Sequence, residues 1–199
     1  MTVRSSFAAA TPRRLAFAAA VLLSAGLAAC SSTSAPMGAT TSMTATSQTA
    51  LPTPVQVPAG HRVAWETVGV GQITYECRTK KDMAAEYEWV FVGPDAKLQT
   101  RSGSVIDKYW GPPATWENND GSKVTATQLA VAPAGAGNIP LQLVKANPAS
   151  GVGAMQGVTY IQRVATKGGV APSMACGAGN MGSKQIVQYQ ADYIFWKAV

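Results

Sequence analysis

Near the C-terminus, the stretch Ile186-Val187-Gln188-Tyr189-Gln190-Ala191-Asp192-Tyr193-Ile194-Phe195-Trp196 alternates between apolar and polar side chains. Successive side chains of a β-strand point to opposite faces, so the odd-numbered residues from Val187 to Phe195 would share one face. Gln188, Gln190 and Asp192 would lie on the other. The pattern predicts a strand with one buried and one wet face, which is typical of an antiparallel sheet.

Five segments upstream also have the composition of strands. They are rich in β-branched and aromatic residues and comprise residues 70–77, 86–92, 123–131, 141–147 and 158–166. Turn-forming residues separate them, as in Gly93-Pro94-Asp95 and Asn119-Asp120-Gly121. Only residues 80–86 are predicted to form a helical turn. Residues 58–199 are therefore predicted to form one all-β domain, either an antiparallel β-sandwich or a barrel-like fold.

The first thirty residues have the plan of an export signal. Arg4, Arg13 and Arg14 precede a short apolar run, residues 15–26, which is too short for an ordinary transmembrane helix. Leu27-Ala28-Ala29-Cys30 follows and resembles the bacterial lipobox. The resemblance implies a signal peptide over residues 1–29 and a lipid-anchored Cys30, since several acyl chains hold a protein firmly in a membrane. The alternative is an ordinary cleaved signal followed by a chance cysteine.

Ser31, not Asp, follows Cys30, which by resemblance to enterobacterial sorting favours the outer membrane, with the domain facing the periplasm or the cell surface. Residues 31–57 are rich in Ser, Thr, Ala and Pro, contain no charged residue and show no sustained apolar period. Such a stretch cannot bury enough surface to offset its ordering entropy. Residues 30–57 are therefore predicted to be the lipidated cysteine and a disordered linker.

Charge gives no sign of a nucleic-acid partner. The net charge of +6 includes the three arginines of the predicted signal peptide, so their removal would leave +3. The remaining charges alternate in sign and form no basic run, as expected of a solvated surface. We expect a monomer that binds no nucleic acid.

Cys77 and Cys176 remain once Cys30 is assigned to lipid. In an oxidising compartment a leftover pair is expected to form a disulfide, and closing so long a loop is worth up to about 4–5 kcal/mol. A metal site or a free nucleophile are the alternatives. A metal site would need further soft ligands, and the chain has one His, His61. No metal or cofactor is predicted.

Several segments resemble one known family. They are residues 71–77 (GQITYEC), 93–98 (GPDAKL), 111–117 (GPPATWE), 120–122 (DGS) and 161–169 (IQRVATKGG), followed by Ala171-Pro172 and Cys176. In this order they resemble the domain of unknown function 3455, over nearly all of residues 58–199. The resemblance implies bacterial or fungal proteins that are often secreted, and no established activity. Members commonly carry a His before the segment matching 111–117, where this chain has Asp107-Lys108-Tyr109-Trp110.

Residues 107–122 (DKYWGPPATWENNDGS) are the candidate ligand-binding segment. Tyr109, Trp110 and Trp116 could offer flat faces to sugar C–H groups, and Glu117 and Asp120 could bind hydroxyls. Alternatively, the tryptophans are core or edge residues and Asn119-Asp120-Gly121 is a hairpin turn. A glycosidase would need two carboxylates about 5–10 Å apart, which Glu117 with Asp107 or Asp120 could supply.

Arg163 is the other candidate binding residue, because it lies inside a strand-like run. A partly buried Arg usually pairs with an acid or with backbone carbonyls, and Asp192 is the candidate partner. The functional alternative is recognition of an anion or another ligand.

No motif identifies a catalytic residue. The sequence favours a membrane-tethered β module that binds a small molecule, a glycan or an envelope component. The first alternative is a carboxylate-dependent hydrolase acting on a saccharide or ester. The second is a structural or protein-interaction protein of the envelope.

Overall fold

The computed structural model describes residues 47–199. Within this range the chain forms eight strands: β1 (His61–Lys80), β2 (Met83–Gln99), β3 (Val105–Trp110), β4 (Thr115–Asn118), β5 (Lys123–Ala132), β6 (Leu141–Ala146), β7 (Val158–Gly168) and β8 (Lys184–Ala198). Three single-turn 3₁₀ helices accompany them: Gln48–Ala50, Thr53–Val55 and Ala178–Asn180. In this part of the chain, no helix is long and apolar enough to cross a membrane.

The strands close into one antiparallel barrel. Each strand pairs with the next along the chain, and β8 pairs with β1 to complete the ring. The predicted all-β antiparallel fold is confirmed, and of the two predicted architectures the chain adopts the barrel. The predicted helical turn at residues 80–86 is wrong. Residues 81–82 instead turn the β1–β2 hairpin, with Asp82 at a φ of 66°.

Aromatic side chains fill the barrel. The predicted alternation of β8 is confirmed, because Tyr189, Ala191, Tyr193 and Phe195 are all buried in one apolar cluster. An eight-stranded barrel has an interior just wide enough for side chains to fill. The Tyr193 ring fits because it packs against a glycine of β1, Gly69. A Cβ atom at Gly69 would lie 2.6 Å from that ring.

The two ends of the barrel differ. At the end we call the closed end, short loops join β2 to β3 and β4 to β5, and residues 147–157 join β6 to β7. Met155 of that last loop is fully buried in the barrel cluster. At the opposite end, the open end, lie the tip of the β1–β2 hairpin and three loops, residues 111–114, 133–140 and 169–183.

The disulfide between Cys77 and Cys176 is confirmed, with an S–S distance of 2.02 Å. It ties β1 to the loop of residues 169–183 at the open end. Two backbone hydrogen bonds support the same contact, from Cys77 N to Ser183 O and from Gly182 N to Cys77 O. Cys30, the predicted lipidation site, and the predicted signal peptide lie outside the described residues.

Residues 48–57, which we call the strap, pack on the outer face of the barrel. Leu51, Val55 and Val57 join apolar residues of β5 to β8, and Val55 is fully buried. The sequence predicted disorder as far as residue 57, but these ten residues form contacts instead. Their three large apolar side chains follow no period, so their burial depends on the barrel surface beneath them.

Gln162 of β7 holds the strap by hydrogen bonds. Its amide exchanges hydrogen bonds with the Gln48 amide at 2.9 and 3.0 Å, and donates to Val55 O at 2.6 Å. The Trp196 indole N–H donates to Gln162 Oε1 at 2.9 Å. Gln162 is therefore a fully buried polar residue whose hydrogen bonds are satisfied by the strap and β8.

Candidate functional site

A cavity of about 300 Å³ lies in the mouth of the barrel at the open end. One part of its wall is apolar and is formed by Ile73, Phe91, Ala114, Ile139 and Pro140. The other part is polar and is formed by Tyr75, Tyr109, Gln128, Gln142 and Arg163. The volume is at the lower limit of the range for small-molecule sites, and such sites combine apolar walls with a few placed polar groups.

Neighbouring strands place three of the polar residues side by side. Gln142 of β6 is the register partner of Arg163 of β7. On the other side, the Gln142 amide donates to Gln128 Oε1 of β5 at 2.6 Å. The β5–β6 register shifts between Gln128 and Ala130. Such a bulge changes which residues of a strand face inward, and Ala130 and Ala132 pack with the strap residues outside the barrel.

Arg163 is a partly buried cation in the mouth. Its Nε and one Nη donate to the Pro140 carbonyl oxygen, at 3.3 and 3.0 Å. It makes no ion pair within residues 47–199, and no carboxylate is among the described residues that line the cavity. Among the described residues, the guanidinium therefore has only a neutral hydrogen-bonding partner, the Pro140 carbonyl.

The predicted pairing of Arg163 with Asp192 is wrong. Arg163 is the register partner of Tyr193, and Asp192 is the partner of the next residue, Val164. Because neighbouring side chains of a strand point to opposite faces, Asp192 points out of the barrel. There it accepts a hydrogen bond from Arg101 at 2.8 Å.

Four tyrosines lie below and around Arg163. Burial raises the pKa of each phenol, at Tyr75, Tyr109, Tyr189 and Tyr193, while the positive charge of Arg163 acts to lower it. All four phenols are therefore neutral near pH 7. Arg163 is the register partner of Tyr193, whose ring is buried in the barrel interior.

The phenols differ in their hydrogen bonds. Tyr75 donates to the Gly169 carbonyl at 2.8 Å, and the Tyr189 and Tyr193 hydroxyls share a hydrogen bond of 3.0 Å. The Tyr109 hydroxyl has no partner among the described residues. Because Tyr109 lines the cavity, its O–H can serve a bound molecule.

The six residues predicted as a ligand site do not converge. Tyr109 and Arg163 line the mouth. Trp116 is buried in the barrel with 2% exposure and stacks on Tyr109 at 4.5 Å, so it offers no free face. Trp110 and Glu117 lie on the outer surface, where the indole N–H donates to Glu117 at 3.2 Å. Asp120 is in the β4–β5 turn at the closed end.

The carboxylates of residues 107–122 serve three separate local structures. Asp107 is fully buried and accepts hydrogen bonds from Trp65 Nε1 at 2.9 Å and Asn118 Nδ2 at 2.7 Å. Burial raises its pKa, although these two hydrogen bonds oppose the shift. Asp120 accepts hydrogen bonds from Ser122 and from the Ala154 N–H, which lower its pKa and hold the 147–157 loop against the turn.

Glu117 points away from Asp107 across the sheet. Its carboxylate lies 3.4 Å from Lys108 Nζ and 3.7 Å from Lys123 Nζ. Desolvation would raise its pKa, but the hydrogen bonds from Lys108 and Trp110 outweigh it, so the pKa is lowered. No cleft brings Glu117 and Asp107 together, because they lie on opposite faces of the β3–β4 hairpin. Within residues 47–199, no cluster of three or more His, Cys, Asp or Glu is arranged to hold a metal.

Sequence reasoning missed Tyr75, Gln128 and Gln142 as mouth residues. Gln142 carried a usable signal, since it shares the inward face of β6 with Val144, which is buried in the barrel. A polar residue on a face that is otherwise apolar indicates a hydrogen-bonded position or a cavity. Gln128 carried none, because the bulge in β5 obscures the alternation.

The fold and the mouth define a class of protein: a small closed antiparallel β-barrel with a partly polar cavity at one end. Residues 58–197 match the family described as "Protein of unknown function (DUF3455)", and the chain belongs to this family. The resemblance drawn from the sequence motifs is thereby confirmed. No curated protein and no solved structure matches the chain.

Proposed function

We propose that this chain is an exported, lipid-anchored protein whose barrel binds a small molecule in its mouth without chemical conversion. The observation that carries the proposal is the mouth cavity of about 300 Å³, which is lined by the polar side chains of Tyr109, Gln142 and Arg163. The rest of the barrel interior is packed with apolar and aromatic side chains. Barrels of eight strands have room for one small ligand when side chains leave part of the interior free.

The proposed location is the outer membrane, with the barrel facing the periplasm or the cell surface and anchored through acylated Cys30. The Cys77–Cys176 disulfide supports an oxidising compartment, because such bonds persist mainly outside the cytosol. Expression of the full-length chain in a bacterium fed an alkyne-labelled fatty acid tests the anchor. The label should appear on the wild type and be absent from Cys30→Ser; equal labelling of both would refute the assignment.

Hydrolysis by paired carboxylates is the weaker alternative. It would need two carboxylates facing one bond, and Asp107, Glu117 and Asp120 are respectively inside the barrel, outside it and in a turn. Each already has hydrogen-bonding partners with a structural role. Binding without chemistry needs only the donors and the apolar wall of the mouth.

The geometry of the mouth supports a glycan ligand less well than it supports a compact small molecule. Sugar sites use exposed aromatic faces, and the buried Trp116 has none to offer. Trp110 is 37% exposed, but it lies outside the barrel beside Glu117 rather than in the cavity. The mouth is enclosed on its sides by strands, which suits a compact molecule of metabolite size.

Binding of one-ring probes to the purified full-length protein tests the proposal. The probes are 4-fluorobenzoate, 4-fluorophenyl phosphate, 4-fluorobenzamide and 4-fluorobenzylamine, each followed by its ¹⁹F resonance. At least one should bind to the wild type, and Ala114→Phe should abolish that binding by filling the cavity with a ring. The control is Val152→Phe, since Val152 is 84% exposed in the 147–157 loop at the closed end.

Two results would contradict the proposal. If no probe binds, or if Ala114→Phe binds every probe as the wild type does, the mouth is not a ligand site. Circular dichroism on both phenylalanine variants would establish that each retains the barrel.

A further inference from the structure

Among the described residues, those that line the mouth include one charged group and no group of opposite charge. Arg163 is the charged residue among the described residues lining the cavity, and its only hydrogen-bond acceptor there is the Pro140 carbonyl. A guanidinium has several N–H groups, and the remaining ones are unused within residues 47–199. A guanidinium with free N–H groups and no ion-pair partner within residues 47–199 can bind an anion through charge-assisted hydrogen bonds.

Two residues with neutral donor groups line the same cavity as Arg163. The Tyr109 hydroxyl has no partner among the described residues, and the Gln142 amide lies on the strand next to Arg163. The four nearby phenols stay neutral because burial raises the pKa of each, so they do not compete with an anion for Arg163. Arginine and hydroxyl donors that line the same cavity are suited to binding carboxylate or phosphate oxygens.

Another part of the cavity wall is apolar. Ile73, Phe91 and Ile139 contribute hydrocarbon surface, and Phe91 presents its ring beside Tyr75 with centroids 6.1 Å apart. A molecule that fills the mouth would therefore have one polar end and one apolar end. The cavity volume restricts it to a compact body rather than a long chain.

We propose that the ligand of the mouth is a small organic anion, with its carboxylate or phosphate on Arg163 and Tyr109 and a short apolar body against Ile73 and Phe91. This inference rests on the proposed function and adds the class of ligand. The shared chemistry is an anionic oxygen group, and the benzoate and phenyl phosphate probes distinguish its two forms.

Titration of the same four probes tests the ligand class. In the wild type, at least one of the two anions should bind about tenfold or more tightly than the amide, which has nearly the shape of benzoate but no charge. The benzylamine cation should bind most weakly. Raising the salt concentration should weaken binding of the anion, because salt screens its attraction to Arg163, and should leave binding of the amide nearly unchanged.

Arg163→Gln should remove the preference for the anion and leave amide binding within about twofold. Arg163→Lys should retain the preference at lower affinity, since lysine keeps the charge but loses the fork geometry. Arg62→Gln is the matched control because Arg62 is exposed at the start of β1, at the closed end. It makes the same change of charge and should leave every affinity as in the wild type.

The outcomes separate the two proposals. Equal binding of the anions and the amide, or a preference that survives Arg163→Gln, would overturn the anion assignment while leaving the mouth as a ligand site. Failure of every probe would overturn both. If Arg163→Gln does not fold, the salt dependence in the wild type and the behaviour of Arg163→Lys still decide the question.

Discussion

The closed end and the open end of this barrel are built from the same kinds of residue but use them differently. At the closed end, two carboxylates have partners within the protein: Asp107 accepts hydrogen bonds from Trp65 and Asn118, and Asp120 accepts one from Ser122. At the open end, Arg163 and Tyr109 keep donors that no described residue uses. Two large apolar residues show the same contrast, since Met155 is fully buried at the closed end and Phe91 is 49% exposed at the open end.

This difference indicates how the barrel divides its two tasks. Saturated hydrogen bonds and dense packing stabilise a fold, so we expect the closed end to contribute more to the stability of the barrel. Donors left without partners lower stability but remain available to a ligand. A comparison of changes at the open end with changes in the barrel interior and at the closed end can therefore test whether stability and recognition are separated within the barrel.

The largest contrast should come from aromatic truncation. Trp116→Ala should destabilise the protein by about 3–5 kcal/mol, because Trp116 is 2% exposed and packs on Tyr109 and Tyr193. Phe91→Ala should cost less than about 1 kcal/mol, since half of the ring is already in water. Urea unfolding of both variants measures the two values. Similar costs would mean that the open end is as firmly packed as the barrel interior.

Removal of the disulfide should have the next largest effect. Cys77→Ser/Cys176→Ser should lower the free energy of unfolding by about 2–4 kcal/mol, because the bond closes a loop across a sequence separation of 99 residues. The bond holds the 169–183 loop, so local opening should also increase there. Amide hydrogen exchange should accelerate more in this loop than at Ser122 and Ala154 of the closed end. Equal acceleration at both ends would show that the bond stabilises the barrel only as a whole.

The sequence predicted the parts of the barrel in which local pattern and final environment agree. The alternation of β8 specified its inward face, and the turn at Asn119-Asp120-Gly121 was predicted from residues that favour turns. The sequence did not predict the features that depend on contacts between distant segments. The strap has no periodic pattern, and its order comes from Val55 and Gln48 docking on strands more than a hundred positions away.

The candidate site was partly predicted for the same reason. Arg163 was identified because a charged residue in a strand is unusual, and Tyr109 because it lies in an aromatic segment. Grouping Tyr109 with Trp110, Glu117 and Asp120 failed since neighbours in sequence point to opposite faces of a strand or lie at opposite ends of it. Gln142 joins Arg163 through register, which sequence spacing does not specify.

The smallest predicted effect concerns the buried carboxylate of the closed end. Burial raises the pKa of Asp107 above its ordinary value of 3.8, so the folded state holds a proton that the unfolded chain releases. The contribution of this group to stability is therefore greatest at low pH and declines as pH rises from 3.8 through the folded pKa. Asp107→Asn removes the ionisation and should make stability less dependent on pH across this window.

Urea unfolding of the wild type and Asp107→Asn, between about pH 3 and pH 8, measures the effect. Asparagine loses a hydrogen bond worth about 1 kcal/mol, so the variant should have a lower free energy of unfolding than the wild type at low pH. This difference should shrink as pH rises, because the wild type loses stability there. Asp120→Asn is the control, because the pKa of Asp120 is shifted in the opposite direction from that of Asp107. Hydrogen bonds lower the pKa of Asp120, so its ionised form stabilises the fold above 3.8 and this contribution is lost in acid. A difference between wild type and Asp107→Asn that stays constant with pH would show that the closed end holds this carboxylate without an electrostatic penalty.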